Sequence, residues 1–537
     1  MSAQQTTEQT GGRRPAVSDP LIPRSHPELV FALIGPAGTD LKAAFSCLRK
    51  ALLEVGYEVP KEEIRLSKLI AEFLGLGLES LSEDARIAKL MDEGTRVRES
   101  CGRGDAVAVL AVMEIARIRK QDFQGKDSRR AYILHSLKHP HEVETLRNIY
   151  GKGFFAISVY SPREERVNSL ARRIAKSNPL KSSGARSKAE HLIERDELEE
   201  GTILGQDVKD AFPKADLFVD ARAKDTLEEN IRRFVELLFG YPYHTPTKDE
   251  YAMYHAKSAA VRSADLGRQV GAAIATPGGD IISVGCNEVP KAGGGLYWEG
   301  DTPDGRDFQR GGDATFEQRE QMVAELVGRF NEHGWLAEKY RNVDQKELVR
   351  NLLAGKHKDV LNNTQLFSLL EFGRGVHAEM AAITDAARRG VSVKGGILYT
   401  TTFPCHLCAK HIIAAGIERV VYIEPYPKSR ARDLFDDSIV VDPVKHVKGR
   451  VNFEPFVGVA PRQYLEIFQV PEAISRKNEL GKAIEWTKSE ALPRVTRFRN
   501  TYRDIEQAII ASQVDTMRKK LGLNQQLFQS NEGGQSQ

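Results

Sequence analysis

Over its first 240 residues the chain alternates short, unbroken apolar runs with stretches of helical periodicity. Leu29–Ile34 is apolar throughout; a Gly-Pro-Ala-Gly-Thr turn and an amphipathic stretch ending near Tyr57 follow it. Ala131–Leu137 (AYILHSL), Phe154–Tyr160 (FFAISVY) and Asp216–Ala221 (DLFVDA) repeat the apolar run. Runs of this length bounded by turn signals predict strands buried on both faces. Their alternation with helices predicts a parallel sheet covered on both sides. IRRFVELLFG closes the pattern near Gly240, and YPYHTPTKDE, rich in Pro and polar residues, reads as a linker.

A second pattern begins with the helix YAMYHAKSAAVRSADL. Gln269–Ala275 and Ile281–Gly285, joined by a Pro-Gly-Gly-Asp turn, predict a β-hairpin. A Gly-rich loop, KAGGGLYWEGD, comes next, and the segment from about Thr315 to Phe372 is charged and helical in pattern. It reads as an insertion able to cover a site. Then come the helix AEMAAITDAARR, the strand GILYTTTF and the helix CAKHIIAAGI, with VVYIEPY, DSIVVDP and RVNFEPFVGVA as further strands or loops. The expected divisions are a disordered lead-in over 1–26, one domain over 27–242, a second over 250–471, and a helical tail over 472–537 with a disordered end. The tail is either an assembly segment or a solvated surface helix.

The chemistry concentrates in His377-Ala378-Glu379 and Pro404-Cys405-His406-Leu407-Cys408. This is the H-x-E…P-C-x-x-C signature of zinc-dependent nucleobase deaminases. A catalytic zinc takes three protein ligands and leaves one position for water. His377, Cys405 and Cys408 supply the three, and Zn2+ lowers the pKa of its water from about 16 towards about 7. Glu379 is then the proton shuttle. Residues two apart do not share a face in mid-helix, so His377 and Glu379 converge only near a helix start. Gly373 and Gly375 break the chain just before it, and the CxxC falls in the first turn of its own helix, where thiolates are favoured. A closed structural zinc site, or no metal, is the alternative. The agreement of both motifs with the helix–strand–helix between them favours catalysis.

Length and composition add limits. The 537 residues call for two or three domains. A net charge of +3 gives no support to an extended nucleic-acid groove. The three cysteines outside the motif, Cys47, Cys101 and Cys286, form no disulfide framework and point to a reducing cytoplasm. The lead-in lacks an apolar core and no apolar run approaches membrane-spanning length, so a soluble protein is expected.

The first domain's turn is an incomplete P-loop. The full motif is G-x-x-x-x-G-K-[ST], whereas Gly35 and Gly38 stand too close and Asp40 falls near the lysine position. Gly35, Gly38 and Thr39 are the candidate phosphate contacts. Three readings stay open: a nucleotide kinase-like scaffold without ordinary ATPase activity, genuine nucleotide hydrolysis, or a plain strand–helix turn. His135 stands where such kinases often carry a magnesium-coordinating Asp. The Arg-rich Ser161–Lys176 reads either as a lid over phosphates or as a solvated helix face.

Taken together, GPAGTD, AYILHSLKHPHEVETLRNIYG, SADLGRQVGAAI, GCNEVPKAGGG, HAEMAAI and TTTFPCHLCAKHIIAAGI resemble the bacterial antiviral cytidine deaminases, also called anti-phage dCTP deaminases. The resemblance spans roughly residues 27–470. It implies an α/β chain in which a P-loop kinase-like parallel-sheet domain precedes an α/β/α cytidine deaminase-fold domain. It also implies conversion of dCTP, with dCMP as a second candidate substrate, to deoxyuridine nucleotides, starving phage DNA synthesis of dCTP. By the same resemblance His377, Cys405 and Cys408 hold zinc, Glu379 is the acid/base, and Asn287 contacts a sugar hydroxyl. A turn residue is the alternative for Asn287. Arg268 and Lys291 are candidates for phosphate contacts, and Tyr297 or Trp298 for stacking or lid packing. Ala381 departs from the Asn common in deoxycytidylate deaminases. The resemblance further implies a homo-oligomer, a regulatory first domain with a nucleotide ligand, and in some relatives an inhibitory small RNA. Rival functions are housekeeping dCMP deamination, deamination of a polynucleotide, and a nucleotide-dependent switch centred on the first domain.

Overall fold

The structure is a computed structural model that describes residues 27–122, 129–177, 184–199, 202–362, 364, 372–426, 429–470, 476–477, 481–494 and 499–523. The lead-in 1–26 and the end of the tail, both expected to be disordered, lie outside the described residues.

The first sheet has six strands in the order β12-β5-β4-β1-β3-β2. They are β1 (Leu29–Ile34), β2 (Ile64–Arg65), β3 (Ala131–Leu137), β4 (Phe154–Tyr160), β5 (Leu217–Asp220) and β12 (Gly458–Val459). Neighbours among the first five pair in parallel. The unbroken apolar run of β1 has a direct cause. Val30, Ala32 and Ile34 enter the core that also holds Ile70, Val97 and Val112, while Leu29, Phe31 and Leu33 enter the core that also holds Leu48, Ile231 and Phe234. A strand buried on both faces has no polar side to alternate with.

The second sheet runs β10-β11-β9-β8-β6-β7. Its strands are β6 (Gly271–Ala275), β7 (Ile281–Cys286), β8 (Ile397–Thr402), β9 (Arg419–Glu424), β10 (Ile439–Val441) and β11 (Val451–Pro455). β6 pairs antiparallel with β7 and with β8, and the remaining pairs are parallel. The chain is thus α/β, with two parallel-dominant sheets. The insertion forms helices Ala314–Glu332, Glu338–Arg341, Gln345–Leu353 and Asp359–Asn362. Val323, Val327, Leu348, Val349 and Leu353 give it a small core of its own.

Two segments fold otherwise than their pattern suggests. RVNFEPFVGVA does not stay in the second domain. Its first part is β11, but Gly458–Val459 crosses over as β12 and pairs antiparallel with β5. Val459 N donates to Glu250 Oε1 at 2.8 Å, and Arg233 holds the same buried carboxylate through both terminal nitrogens at 2.8 Å. The tail also docks on the first domain. In its helix Arg499–Ile509, Glu506 accepts from Arg119 at 2.6 Å and from Tyr150 at 2.7 Å, while Tyr502 donates to Glu28 at 2.9 Å. Periodicity alone shows a polar helix; it does not show that one carboxylate of that helix is buried against an arginine from far away in the chain.

One glycine sets the position of the site. A Cβ on Gly285 of β7 would lie 2.4 Å from Ala378 O and 2.9 Å from Ala381 Cβ, so the helix carrying Glu379 rests directly on the strand. Gly285→Ala is expected to cost about 2–3 kcal/mol by overpacking. A thermal unfolding scan checks this, and an unchanged Tm contradicts it. Among the described residues, no helix is long and apolar enough to cross a membrane.

Candidate metal centre

His377 is the N-cap of the helix Ala378–Arg388, and Glu379 lies in its first turn. Cys405 is the N-cap of the helix His406–Ala414, and Cys408 lies in its first turn. Free N–H groups and the positive helix end favour anionic sulfur at both places. His377 Nδ1 stands 3.2 Å from Cys405 Sγ and 3.3 Å from Cys408 Sγ. The three ligand atoms all lie within 4.8 Å of one another. The Cys408 thiol donates to Glu379 Oε2 at 3.3 Å.

The electrostatics match a metal site. Hydrogen bonds from Cys408 and His377 pull the Cys405 thiol down to about 4, while Cys408 is held far above the ordinary thiol range by its bond to Cys405 and by burial. The pair therefore carries one thiolate and one proton that a cation displaces on binding. Burial raises the Glu379 carboxyl above its usual range. Two sulfurs and one imidazole at helix starts, beside a buried carboxylate that is not a ligand, suit zinc better than a hard cation.

A cavity of about 250 Å³ opens on this centre, and its wall includes Arg268, Asn287, His377, Glu379 and Cys405. Arg268 is half exposed, 3.7 Å from Glu424, with its guanidinium 5.3 Å from the Tyr426 ring centre. Asn287 is committed to the backbone: Oδ1 accepts from Val270 N and Nδ2 donates to Arg268 O, each at 2.7 Å. It thus holds the Arg268 segment and still lines the cavity. Lys291 does not line this cavity. Its loop turns back through Lys291 N to Gly295 O, and the ammonium pairs with Asp301 at 2.7 Å. Tyr297 and Trp298 stay in that loop too, with the Arg262 guanidinium 3.4 Å from the Trp298 ring centre. Ala381 packs against Gly285, whose added Cβ would lie 2.9 Å from the Ala381 Cβ.

Sequence reasoning assigned no role to Asp265, Arg374, Asp307, Phe403 or Tyr426, which also line the cavity. Arg374 pairs with Asp307 and donates to Gly305 O at 3.0 Å, tying the approach to His377 to the segment ahead of the insertion. Only its place three residues before His377 offered a signal.

In the first domain, Gly38 takes φ +88, and a Cβ there would lie 2.4 Å from Arg166 O. Gly35, Gly38 and Thr39 line a separate cavity of about 210 Å³. A protein carboxylate already engages the turn: Ala37 N donates to Asp196 Oδ2 at 2.7 Å, and Lys138 Nζ reaches the same oxygen at 2.8 Å. His135 lines this cavity 3.5 Å from Glu63, and burial pushes it down to about 4, so it is neutral near pH 7. The Arg-rich helix, Arg163–Ser177, packs on Val167, Leu170 and Ile174, and its Arg163, Arg166 and Arg173 pair with Glu194, Glu197 and Glu83.

Residues 246–424 match the family described as "Cytidine and deoxycytidylate deaminase zinc-binding region". The cofactor of the centre is Zn2+, and His377, Cys405 and Cys408 form the group that could hold it. The chain is 47% identical over 55 residues to the deoxycytidylate deaminase of Enterobacteria phage T2, covering 10% of this chain and 29% of that one. It is 42% identical over 66 residues to ComE operon protein 2 of Bacillus subtilis (strain 168), covering 12% and 35%. The matched segments thus span about a third or less of these relatives. A solved dCMP deaminase of the cyanophage S-TIM5, in complex with dCMP and dUMP, aligns with 40% of this chain and 100% of its own at 18% identity and a TM-score of 0.22. A gluconokinase from Sinorhizobium meliloti 1021 aligns with 41% of this chain and 100% of its own at 15% identity and a TM-score of 0.19.

Proposed function

We propose that the protein hydrolytically deaminates single deoxycytidine nucleotides, dCTP and also dCMP, to the corresponding deoxyuridine nucleotides. The observation that carries this reading is the buried Glu379 carboxyl, raised in pKa, beside the His377, Cys405 and Cys408 ligand set in one small cavity. At about 250 Å³ the cavity lies below the usual range for ligand pockets of roughly 300–1,000 Å³, which suits one base with its sugar rather than a stacked strand.

Bound Zn2+ supplies an activated water at neutral pH. Glu379 would take one proton from the attacking water and deliver it to N3 of the cytosine ring as oxygen bonds to C4. The carboxylate would then take the second proton from the new C4 hydroxyl and pass it to the exocyclic nitrogen, so that the C4–N bond breaks, the C4 carbonyl forms and ammonia leaves. Its burial beside the ligand set suits a group that must both accept and return a proton during the reaction. Asn287 holds the backbone of the Arg268 segment, and Arg268 faces the nucleotide's phosphate from the cavity wall.

Arg268→Ala is expected to raise KM for dCMP and dCTP about tenfold, the effect of one lost charged contact, with kcat little changed. Deoxycytidine, which has no phosphate, is the control. An equal loss on the nucleoside contradicts the phosphate role. The biological setting that fits this chemistry, and the resemblance noted above, is depletion of dCTP during phage infection. The dCTP pool in infected cells carrying the intact protein or Glu379→Gln tests it: an equal pool in both contradicts that setting.

A further inference from the structure

Both ends of the inserted segment stand at the mouth of the zinc cavity. The chain enters the insertion past Asp307, Asp313 and Thr315 and returns through Gly373, Arg374 and Gly375, and all six line that cavity. Between them the helices Ala314–Glu332 and Gln345–Leu353 pack on a core of their own. The insertion is therefore joined to the site by two runs of chain at its rim.

Arg374 fastens these runs. It pairs with Asp307, the first residue of the short helix Asp307–Arg310, and donates through Nη2 to Gly305 O at 3.0 Å. Gly305 lies against Tyr297, where a Cβ would come 2.6 Å from the hydroxyl oxygen, and Tyr297 N donates to Val289 O at 3.2 Å. Two residues beyond Arg374, Val376 N donates to Glu288 O at 2.9 Å and Glu288 N to Val376 O at 3.2 Å. Glu288 follows Asn287, whose amide holds the Arg268 backbone. The approach to His377, the run that enters the insertion and the Asn287–Arg268 wall are thus laced around one opening. The side chains of the Arg374–Asp307 pair are 30% and 14% exposed, and a partly buried pair is screened less than one on an open surface.

The charge of that opening is a second observation. Its wall carries Asp265, Asp307 and Asp313 against Arg268 and Arg374, and Arg374 is already spent on Asp307. Asp313 caps the helix Ala314–Glu332 by accepting from Thr315 N at 2.8 Å, and Asp265 accepts from Gly267 N at 2.8 Å. Arg268, the remaining cation of the wall, stands 3.7 Å from Glu424. A single nucleotide brings its phosphate to Arg268 and ends there. A strand with cytosine in its interior must lead a phosphodiester away on each side of the base, past these carboxylates and through an opening that Arg374 holds fixed. Proteins that take single strands do the opposite, with a basic groove along the backbone and aromatic rings for successive bases. Discrimination of this kind works through unfavourable contacts made only with the wrong ligand.

We propose that Asp307 and Asp313, with Arg374 as the tie, set the substrate class of the site by excluding cytosines held within a polynucleotide. The proposal rests on the deaminase reading of the zinc cavity and names the residues that confine it to single nucleotides. Calorimetry on the zinc-loaded full chain carrying Glu379→Gln tests it, with dCMP and the trinucleotide d(ApCpA) as ligands. Asp307→Asn and Asp313→Asn are each added to that chain. The first keeps the side chain's size, loosens the tie and removes a charge; the second removes a charge and keeps the cap, since Asn caps helices as well as Asp. The Glu379→Gln chain is expected to bind dCMP about a hundredfold or more tighter than the trinucleotide. Asp307→Asn narrows that ratio about tenfold and Asp313→Asn about threefold, as a like charge is taken from the path of the strand. The ratio narrows through tighter binding of the trinucleotide, a gain that damage to the fold does not produce. Equal binding of the two ligands, or binding of neither, overturns the proposal. A ratio that either variant leaves unaltered, or that narrows only through weaker dCMP binding, overturns it too. Selective binding of dCMP by a chain that releases no ammonia from it when Glu379 is intact refutes the deaminase reading alone.

Discussion

Glu379→Gln removes deamination and leaves zinc bound. The substitution keeps the size of the side chain and its place beside Cys408, so the packing of the first turn is preserved. What is lost is the ability to take up and return a proton. General acid–base groups contribute about 10²–10⁴-fold, and one group serving several transfers falls at the upper end. We expect kcat to fall by about 10³-fold or more, with an unchanged zinc content and a Tm within about a degree of the parent. Retention of a tenth of the parent kcat contradicts the role given to Glu379.

Loss of a zinc ligand acts differently. Cys405→Ser or Cys408→Ser is expected to remove both activity and metal, from about one zinc per chain to almost none. Tm is expected to fall as well. A metal that binds only the folded chain adds stability by mass action, and the ligands join two helix starts on separate elements. Stripping the parent protein with a chelator gives the same lowered Tm, and added Zn2+ restores it. Elemental analysis beside a melting curve separates the two classes: Glu379→Gln keeps zinc without activity, and the cysteine variants keep neither. Full zinc content in Cys408→Ser contradicts the assigned ligand set.

These residues were legible because both motifs sit at helix starts, where local spacing fixes geometry. His377 and Glu379 converge through the cap and first turn of one helix, and Cys405 and Cys408 through those of another. The parallel core of the first domain was equally plain, since β1, β3 and β4 are apolar on both faces. Short edge strands carry no such mark. β2 has two residues, and β12 is a two-residue return held by Val459 N on the buried Glu250. The cavity wall was harder still. Asp265 and Arg374 come from two loops and Asp307 from the start of a short helix, and nothing local says that Arg374 will meet Asp307. Lys291 has the right charge in a plausible loop, but the turn at Gly295 folds it onto Asp301. Asp196 shows the same limit, since a carboxylate 159 residues away engages the glycine turn that the motif suggested for phosphate.

The most direct measurement is ammonia release by the purified, zinc-loaded full chain from dCTP, dCMP, CTP and a cytosine-containing oligonucleotide, with Glu379→Gln run beside it. The account predicts that dCTP and dCMP react, that the oligonucleotide does not, and that all release stops in the variant. Release from the oligonucleotide alone, or release that survives Glu379→Gln, contradicts it.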